Sequence, residues 1–215
     1  MNTTRNTKTL TLLGVLIAIQ VVLTMANIGL IPLPFIKATI LHIPVIIGAV
    51  LLGPIEGMIL GLSFGIMSIV MNTVQPGVTS FVFSPFITVG ENTGNFASLF
   101  VAIVPRVLIG LTAYYSYKFV CKFDKSRMVA YSVAGLVGAL TNTILVMGSI
   151  YILFGEQYAA AKEIPFSALF GAIMAIVGTN GVPEAIGAAI IVPALCKPLN
   201  MIFRFNTARV NKGRA

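Results

Sequence analysis

Apolar residues run along the chain in six blocks separated by short polar breaks. The pattern predicts helices over residues 10–30, 38–52, 55–71, 96–120, 128–154 and 166–195. At about 20 apolar residues per bilayer crossing, the 215-residue length suits six spans with brief connections. The expected fold is an all-α integral membrane protein, a single six-helix domain over residues 1–215. The second block is short, and Gly53-Pro54 divides it from the third, so these two should form a tight hairpin. Within the third block Gly53, Gly57, Gly61 and Gly65 recur every four residues, a smooth stripe that lets another helix approach closely.

Composition strengthens this reading. The chain is 57% hydrophobic and 9% charged, whereas a soluble domain carries about 25% charged residues, so a water-soluble fold is excluded. The net charge of +8 suggests an anionic partner until the charges are placed. Arg5, Lys8, Lys118, Lys122, Lys125, Arg127, Lys197, Arg204, Arg209, Lys212 and Arg214 make eleven of the 14 basic residues on one face of a six-span arrangement. Lys37 and Lys162 fall on the other face, and Arg106 falls inside a span. The positive-inside preference puts both termini in the cytoplasm, and no nucleic-acid partner is expected. The first apolar run is long for the core of a signal peptide and more spans follow it, so it reads as a helix. Cys121 and Cys196 lack metal-ligand spacing and read as reduced, structural residues.

The connection over residues 72–95 far exceeds the usual handful of residues. It joins an aromatic stretch, Ser80-Phe81-Val82-Phe83-Ser84-Pro85-Phe86, to a Gly- and Asn-rich part, Gly90 to Asn95. It reads either as a lid over an outward-facing cavity or as an interfacial loop with its rings at the headgroups. The other outer connections, residues 31–34 and 155–165, are shorter.

Polar residues inside the spans carry the candidate chemistry. Arg106 lies ten residues into the fourth block, about 15 Å along a helix and near the middle of a roughly 30 Å hydrocarbon layer. A charge there needs a partner or a wet cavity, and Pro105 beside it frees a backbone carbonyl at the same level. In the sixth block, Gly178-Thr179-Asn180-Gly181-Val182-Pro183-Glu184 reads as an unwound segment of the kind that lines transporter cavities. The fifth block brings Thr141-Asn142-Thr143 to the same depth. Arg106 either meets a ligand or pairs with Glu184, with Asn142 and Asn180 as interhelical hydrogen-bonding groups. His42, the only histidine, has no acid near it in sequence and reads as a hydrogen-bonding group at the cavity edge or interface. Glu56 suits the first turn of the third helix and needs no chemical role.

Enzymatic readings fail. Gly61-Leu62-Ser63-Phe64-Gly65 matches a nucleophile elbow, but its glycines belong to the helical stripe and the histidine has no orienting acid. No lysine follows a glycine, so the chain has no phosphate-cradling Gly-Lys motif, and ATP, if used, is used by another subunit.

Together these features resemble the substrate-binding S components of energy-coupling-factor vitamin transporters, over nearly the whole chain. Gly14 and Ala18 look like the Ala-xxx-Ala motif with which such proteins contact the transmembrane coupling subunit, the first Ala being Gly here. Leu41 to Gly48, Ser80 to Phe86, Val104-Pro105-Arg106 and Thr179 to Glu184 look most like the pantothenate branch. The resemblance implies a multi-pass subunit of the bacterial cell membrane that binds a vitamin outside. It further implies delivery by toppling once joined to the coupling subunit and two cytoplasmic ATPases, with no cofactor in this chain. Arg106, Asn142 and Asn180 would satisfy the carboxylate, hydroxyls and amide of pantothenate. Hydroxymethylpyrimidine or pyridoxine would suit a site where Glu184 neutralises Arg106 and aromatics such as Phe83 stack on the ring. A self-sufficient carrier, driven by protons or sodium through Glu184, and a purely structural membrane protein are the readings of other classes.

Overall fold

A computed structural model describes residues 3–26, 30–33 and 36–203. Helix α1 (Thr3–Met25) leads into a hairpin of β1 (Leu30–Leu33) and β2 (Ile36–Thr39), antiparallel, with Leu30 opposite Thr39. Helices α2 (His42–Leu51), α3 (Pro54–Val74), α4 (Phe96–Val120) and α5 (Met128–Ala161) follow. Helix α6 (Phe166–Ile176) passes through a π-turn, Val177–Gly181, directly into α7 (Val182–Phe203). Among the described residues five helical stretches are long and apolar enough to cross a membrane, the last being residues 166–202. Their outer sides carry exposed Val22 on α1, Ile55 and Ile66 on α3, Phe170 on α6 and Ile190 on α7, as lipid-facing surfaces require.

Helix α2 is the hub. All ten of its residues are buried, because the other helices close around it. Gly53 adopts φ 142, a conformation that disfavours any side chain, and turns the chain within a few residues into α3, where Pro54 opens the first turn. The expected α2–α3 hairpin is present. The glycine stripe then sets how close α3 and α4 come. A Cβ at Gly57 would meet Gly110 Cα at 3.1 Å, one at Gly65 would meet Ala102 O at 2.8 Å, and one at Gly61 would clash with the carbonyl of Arg106. Backbone therefore lies on backbone along three successive turns, and the middle turn is the one that carries Arg106.

Local chemistry starts the two longest central helices. Asn95 caps α4: its Oδ1 accepts from Ala97 N at 2.8 Å, and Ser98 Oγ accepts from Asn95 N at 3.0 Å, a reciprocal capping box. Asp124 organises the turn before α5, accepting from Ser126 N, Ser126 Oγ and Ala130 N at 2.8–3.0 Å. Desolvation raises its carboxyl pKa, but these hydrogen bonds outweigh it and hold the group below the usual carboxylate range.

Several boundaries differ from the sequence reading: α1 starts at Thr3 rather than residue 10, α3 runs to Val74 rather than 71, and α7 to Phe203 rather than 195. The first helix ends at Met25 rather than residue 30, and the second starts at His42 rather than 38, because Pro32 and the extended residues around it form the hairpin instead. Helix α5 continues to Ala161 through a kink at Phe154 (φ −133, ψ 17), so the connection expected over residues 155–165 is mostly helix. The segment around Gly178 is not unwound: a π-turn absorbs the two glycines, Val182 N donates to Val177 O, and helix resumes. The expected loop over 31–34 and the basic residues beyond Phe203 lie partly or wholly outside the described residues.

Replacing Gly61 by Leu should force α3 and α4 apart at a cost of about 1–3 kcal/mol or more, seen as a lower unfolding temperature in detergent. Gly14→Leu serves as the control, since nothing lies within 4 Å of a Cβ built there. Equal unfolding temperatures for the two variants would show that the close approach does not support the fold.

Candidate functional site

Two apolar clusters fill the bundle. One gathers α2, Phe64, Ile109, Tyr117, Ala134 and Val192; the other gathers Phe81, Val82, Val101, Val146, Phe154 and Leu169. Buried polar residues lie between them along the helices: Arg106 on α4 between Val101 and Ile109, and Asn142 and Thr143 on α5 between Ala134 and Val146. Of the three-helix polar layer expected from the sequence, buried polar side chains are present on these two helices.

Arg106 organises that layer. Pro105 has no N–H, so the carbonyl of Val101, four residues earlier, loses its helical donor. Arg106 Nη1 donates to that same Val101 carbonyl. The guanidinium also faces two rings, its Cζ lying 5.5 Å from the Phe64 centroid and 5.3 Å from that of Phe83, both within cation–π range. Its Nε is buried and has no hydrogen-bond partner among the described residues. With Nη1 engaged, the edge formed by Nε and Nη2 is the one available for a planar, two-oxygen acceptor.

Phe83 reaches Arg106 from the long connection, which enters the bundle rather than trailing over it. Phe81 and Val82 are fully buried in a single 3-10 turn, Ser80–Val82, and Phe81 packs edge-on against Phe154 at 6.1 Å. Polar groups anchor this turn. Ser98 Oγ donates to Phe81 O at 2.7 Å, Ser80 Oγ donates to Asn72 Oδ1 at 2.7 Å, and the hydroxyls of Thr73 and Ser84 lie 2.7 Å apart. Beyond it, β3 (Thr88–Val89) and β4 (Asn92–Thr93) form a small hairpin leading back to α4.

The remaining residues singled out from sequence lie on α1, α2, α5, the π-turn and α7. Asn142 is buried with its Oδ1 unpartnered among the described residues. The π-turn packs on α5 through Gly181, where an added Cβ would meet Thr143 Cγ2 at 2.6 Å, and this brings half-buried Asn180 and Glu184 alongside. Thr179 Oγ1 donates to Asn180 Oδ1 at 3.3 Å. Strand β2 lies against the π-turn, and His42, buried, follows it as the first residue of α2. Among these candidates, Phe83 is in direct contact with Arg106. Gly14 and Ala18 are both exposed on α1.

Two participants were not singled out. Gln20 is fully buried on α1, donating through Nε2 to Leu41 O at 3.4 Å and Leu60 O at 3.3 Å, with Oε1 unpartnered among the described residues. Its signal was available, since it is an uncharged polar residue inside an apolar run. Phe64 had no such signal, because an aromatic in an apolar helix reads as ordinary core.

Comparison with known proteins places this arrangement in context. A model of the family described as "ECF transporter, substrate-specific component" matches residues 8–196. The chain is 41% identical over 197 residues to the pantothenic acid transporter PanT of Lactococcus lactis subsp. cremoris (strain MG1363), an alignment covering 88% of this chain and 94% of that protein.

Ser98→Ala would remove both the second half of the α4 capping box and the buried bond to Phe81 O, a loss of about 1–3 kcal/mol concentrated in the loop. Limited proteolysis within residues 75–95 should accelerate for this variant and not for Thr88→Ala, whose hydroxyl is exposed. Unchanged cleavage would mean that Ser98 does not hold the loop.

Proposed function

The chain belongs to the substrate-specific components of ECF transporters, and from that premise we propose that it captures pantothenate, with Arg106 receiving the carboxylate. The observation that carries this is the state of Arg106: a buried guanidinium held by its own helix and by two rings, with its Nε edge unpartnered among the described residues. A carboxylate entering in the guanidinium plane would make two charge-assisted hydrogen bonds without displacing either ring. Asn142 and Asn180 suit the hydroxyls and amide, with His42 and Glu184 at the periphery. A neutral pyrimidine or pyridine is the poorer fit, because it brings no carboxylate to the unpartnered Nε edge of Arg106. The name of the Lactococcus relative favours the same ligand.

In the membrane, α1, α2, α3, α4, α5 and the continuous α6–α7 rod would make six crossings of one domain, with both termini cytoplasmic. Helix α2, about 15 Å long, would cross only half of the hydrocarbon layer, the β1–β2 hairpin covering the rest. The connection between α3 and α4 would serve as the lid, with Phe83 as the part of it that touches the site. Family membership implies association with a membrane coupling subunit and ATPases, which would supply the ATP chemistry. The exposed Gly14–Ala18 face of α1, with nothing within 4 Å of a Cβ built at Gly14, would be where the coupling subunit docks. A self-sufficient carrier driven through Glu184 has no support from the family.

Two measurements test this. Arg106→Ala should weaken pantothenate binding by about two orders of magnitude or more in calorimetry, as expected when one partner of a buried charge pair is lost, and Arg106→Lys should recover little because a point charge cannot pair in plane. Unchanged affinity in Arg106→Ala would remove the carboxylate role. Separately, Gly14→Leu combined with Ala18→Leu should keep pantothenate affinity while abolishing co-purification with the coupling subunit. Retained co-purification would place the docking face elsewhere.

A further inference from the structure

Helix α4 has 25 residues, about 38 Å at 1.5 Å each, so its ends overrun a roughly 30 Å hydrocarbon layer and reach the headgroups. Its last turns and the turn after them carry Lys118, Phe119, Lys122, Phe123, Lys125 and Arg127. The three lysines are exposed, and so are the rings, Phe119 by 61% and Phe123 by 76%. The rings meet edge-on at 5.8 Å, and Lys122 Nζ lies 5.8 Å from the centre of Phe119.

The one acidic residue of the segment does not neutralise it. Asp124 commits Oδ1 to Ser126 and Oδ2 to Ala130, inside its own turn. Helix α7 ends beside this segment, Asn200 Nδ2 donating to Tyr131 Oη at 2.8 Å, which brings exposed Lys197 to the same end of the bundle. Cations and bare aromatic rings within one turn, at the depth where a span leaves the hydrocarbon, match the layered chemistry of a phospholipid: phosphate outside, acyl chain beneath. An acidic protein segment would complement the lysines but leave the rings uncovered.

We propose that this end of α4 binds an anionic phospholipid, its phosphate received by Lys118, Lys122 and Lys125 and its upper acyl chain lying against Phe119 and Phe123. A zwitterionic lipid carries its own cation next to the phosphate and is held less well.

The chain has no tryptophan, which supplies a direct test. Phe123→Trp places a single reporter at this site, and Phe96→Trp places one at the opposite end of α4, where Phe96 is 89% exposed. Each variant is reconstituted in phosphatidylcholine with increasing brominated phosphatidylglycerol or brominated phosphatidylcholine, and quenching gives the relative binding constant of the two lipids. The expected result is a preference for phosphatidylglycerol of about twofold or more at Trp-substituted 123, none at 96, and loss of the preference in Lys118→Gln/Lys122→Gln/Lys125→Gln. Raising the salt should weaken the preference in the lysine-containing protein, a readout that needs no further variant. Equal quenching by the two lipids at position 123, the same preference at position 96, or a preference unaffected by both the lysine changes and salt would each overturn the proposal.

Discussion

The structure turns on one backbone carbonyl. In a bilayer each polar group of a spanning helix must find its partner within the protein, and Pro105 withholds the N–H that Val101 would ordinarily receive. The next residue supplies the missing donor, since Arg106 Nη1 bonds to Val101 O. A proline alone at this depth would leave an orphan acceptor, and an arginine alone would leave a buried cation with fewer partners. Side by side, each lowers the cost of the other.

That pairing constrains the neighbours. A guanidinium bonded to one carbonyl remains expensive to bury, and the rings of Phe64 and Phe83 add cation–π contacts. Phe64 lies next to Gly65 on α3, and it can stand beside Arg106 because α3 has no side chains to hold α4 away at Gly57, Gly61 and Gly65. Phe83 must arrive on a loop, which is itself pinned by Ser98 one turn into α4. Ser98 accepts from Asn95 and donates to Phe81, so the cap of α4 and the seat of the loop are a single hydrogen-bonded unit. Glycine spacing, helix cap and loop sequence thus converge on the environment of one side chain.

Much of this was legible in the sequence, and the reasons are physical. A charge deep in an apolar run, a proline beside it, a four-residue glycine period and an overlong connection each violate a default strongly enough to be seen without coordinates. What could not be read was set by tertiary context. The helix boundary at His42 depends on a hairpin whose Leu30-Ile31-Pro32-Leu33 strand is as apolar as a helix. The Gly178–Gly181 segment has the composition of a break, yet a π-turn satisfies its backbone without unwinding. Helix α5 passes Phe154 and Gly155 through a kink at Phe154, which packs edge-on against Phe81, and runs on to Ala161. Phe64 was unreadable because its role comes from what lies across the helix interface, not from its own type.

The geometry also bears on how a ligand and a lid would coexist on one arginine. If Arg106 were closed by Glu184, a ligand carboxylate would have to break an ion pair before forming its own, and most of the binding energy would be cancelled. The two rings beside the guanidinium act differently. Cation–π attraction of about 0.5–2 kcal/mol uses up no N–H donor, and Arg106 Nε still has no hydrogen-bond partner among the described residues. Under the proposed function, seating of Phe83 and capture of the carboxylate would then reinforce each other, because the ring excludes water from the pair and a drier pair is held more strongly. Under that same proposal, a loop that carries an aromatic rather than an acid to the site would allow the closed state to be the one in which the ligand is bound.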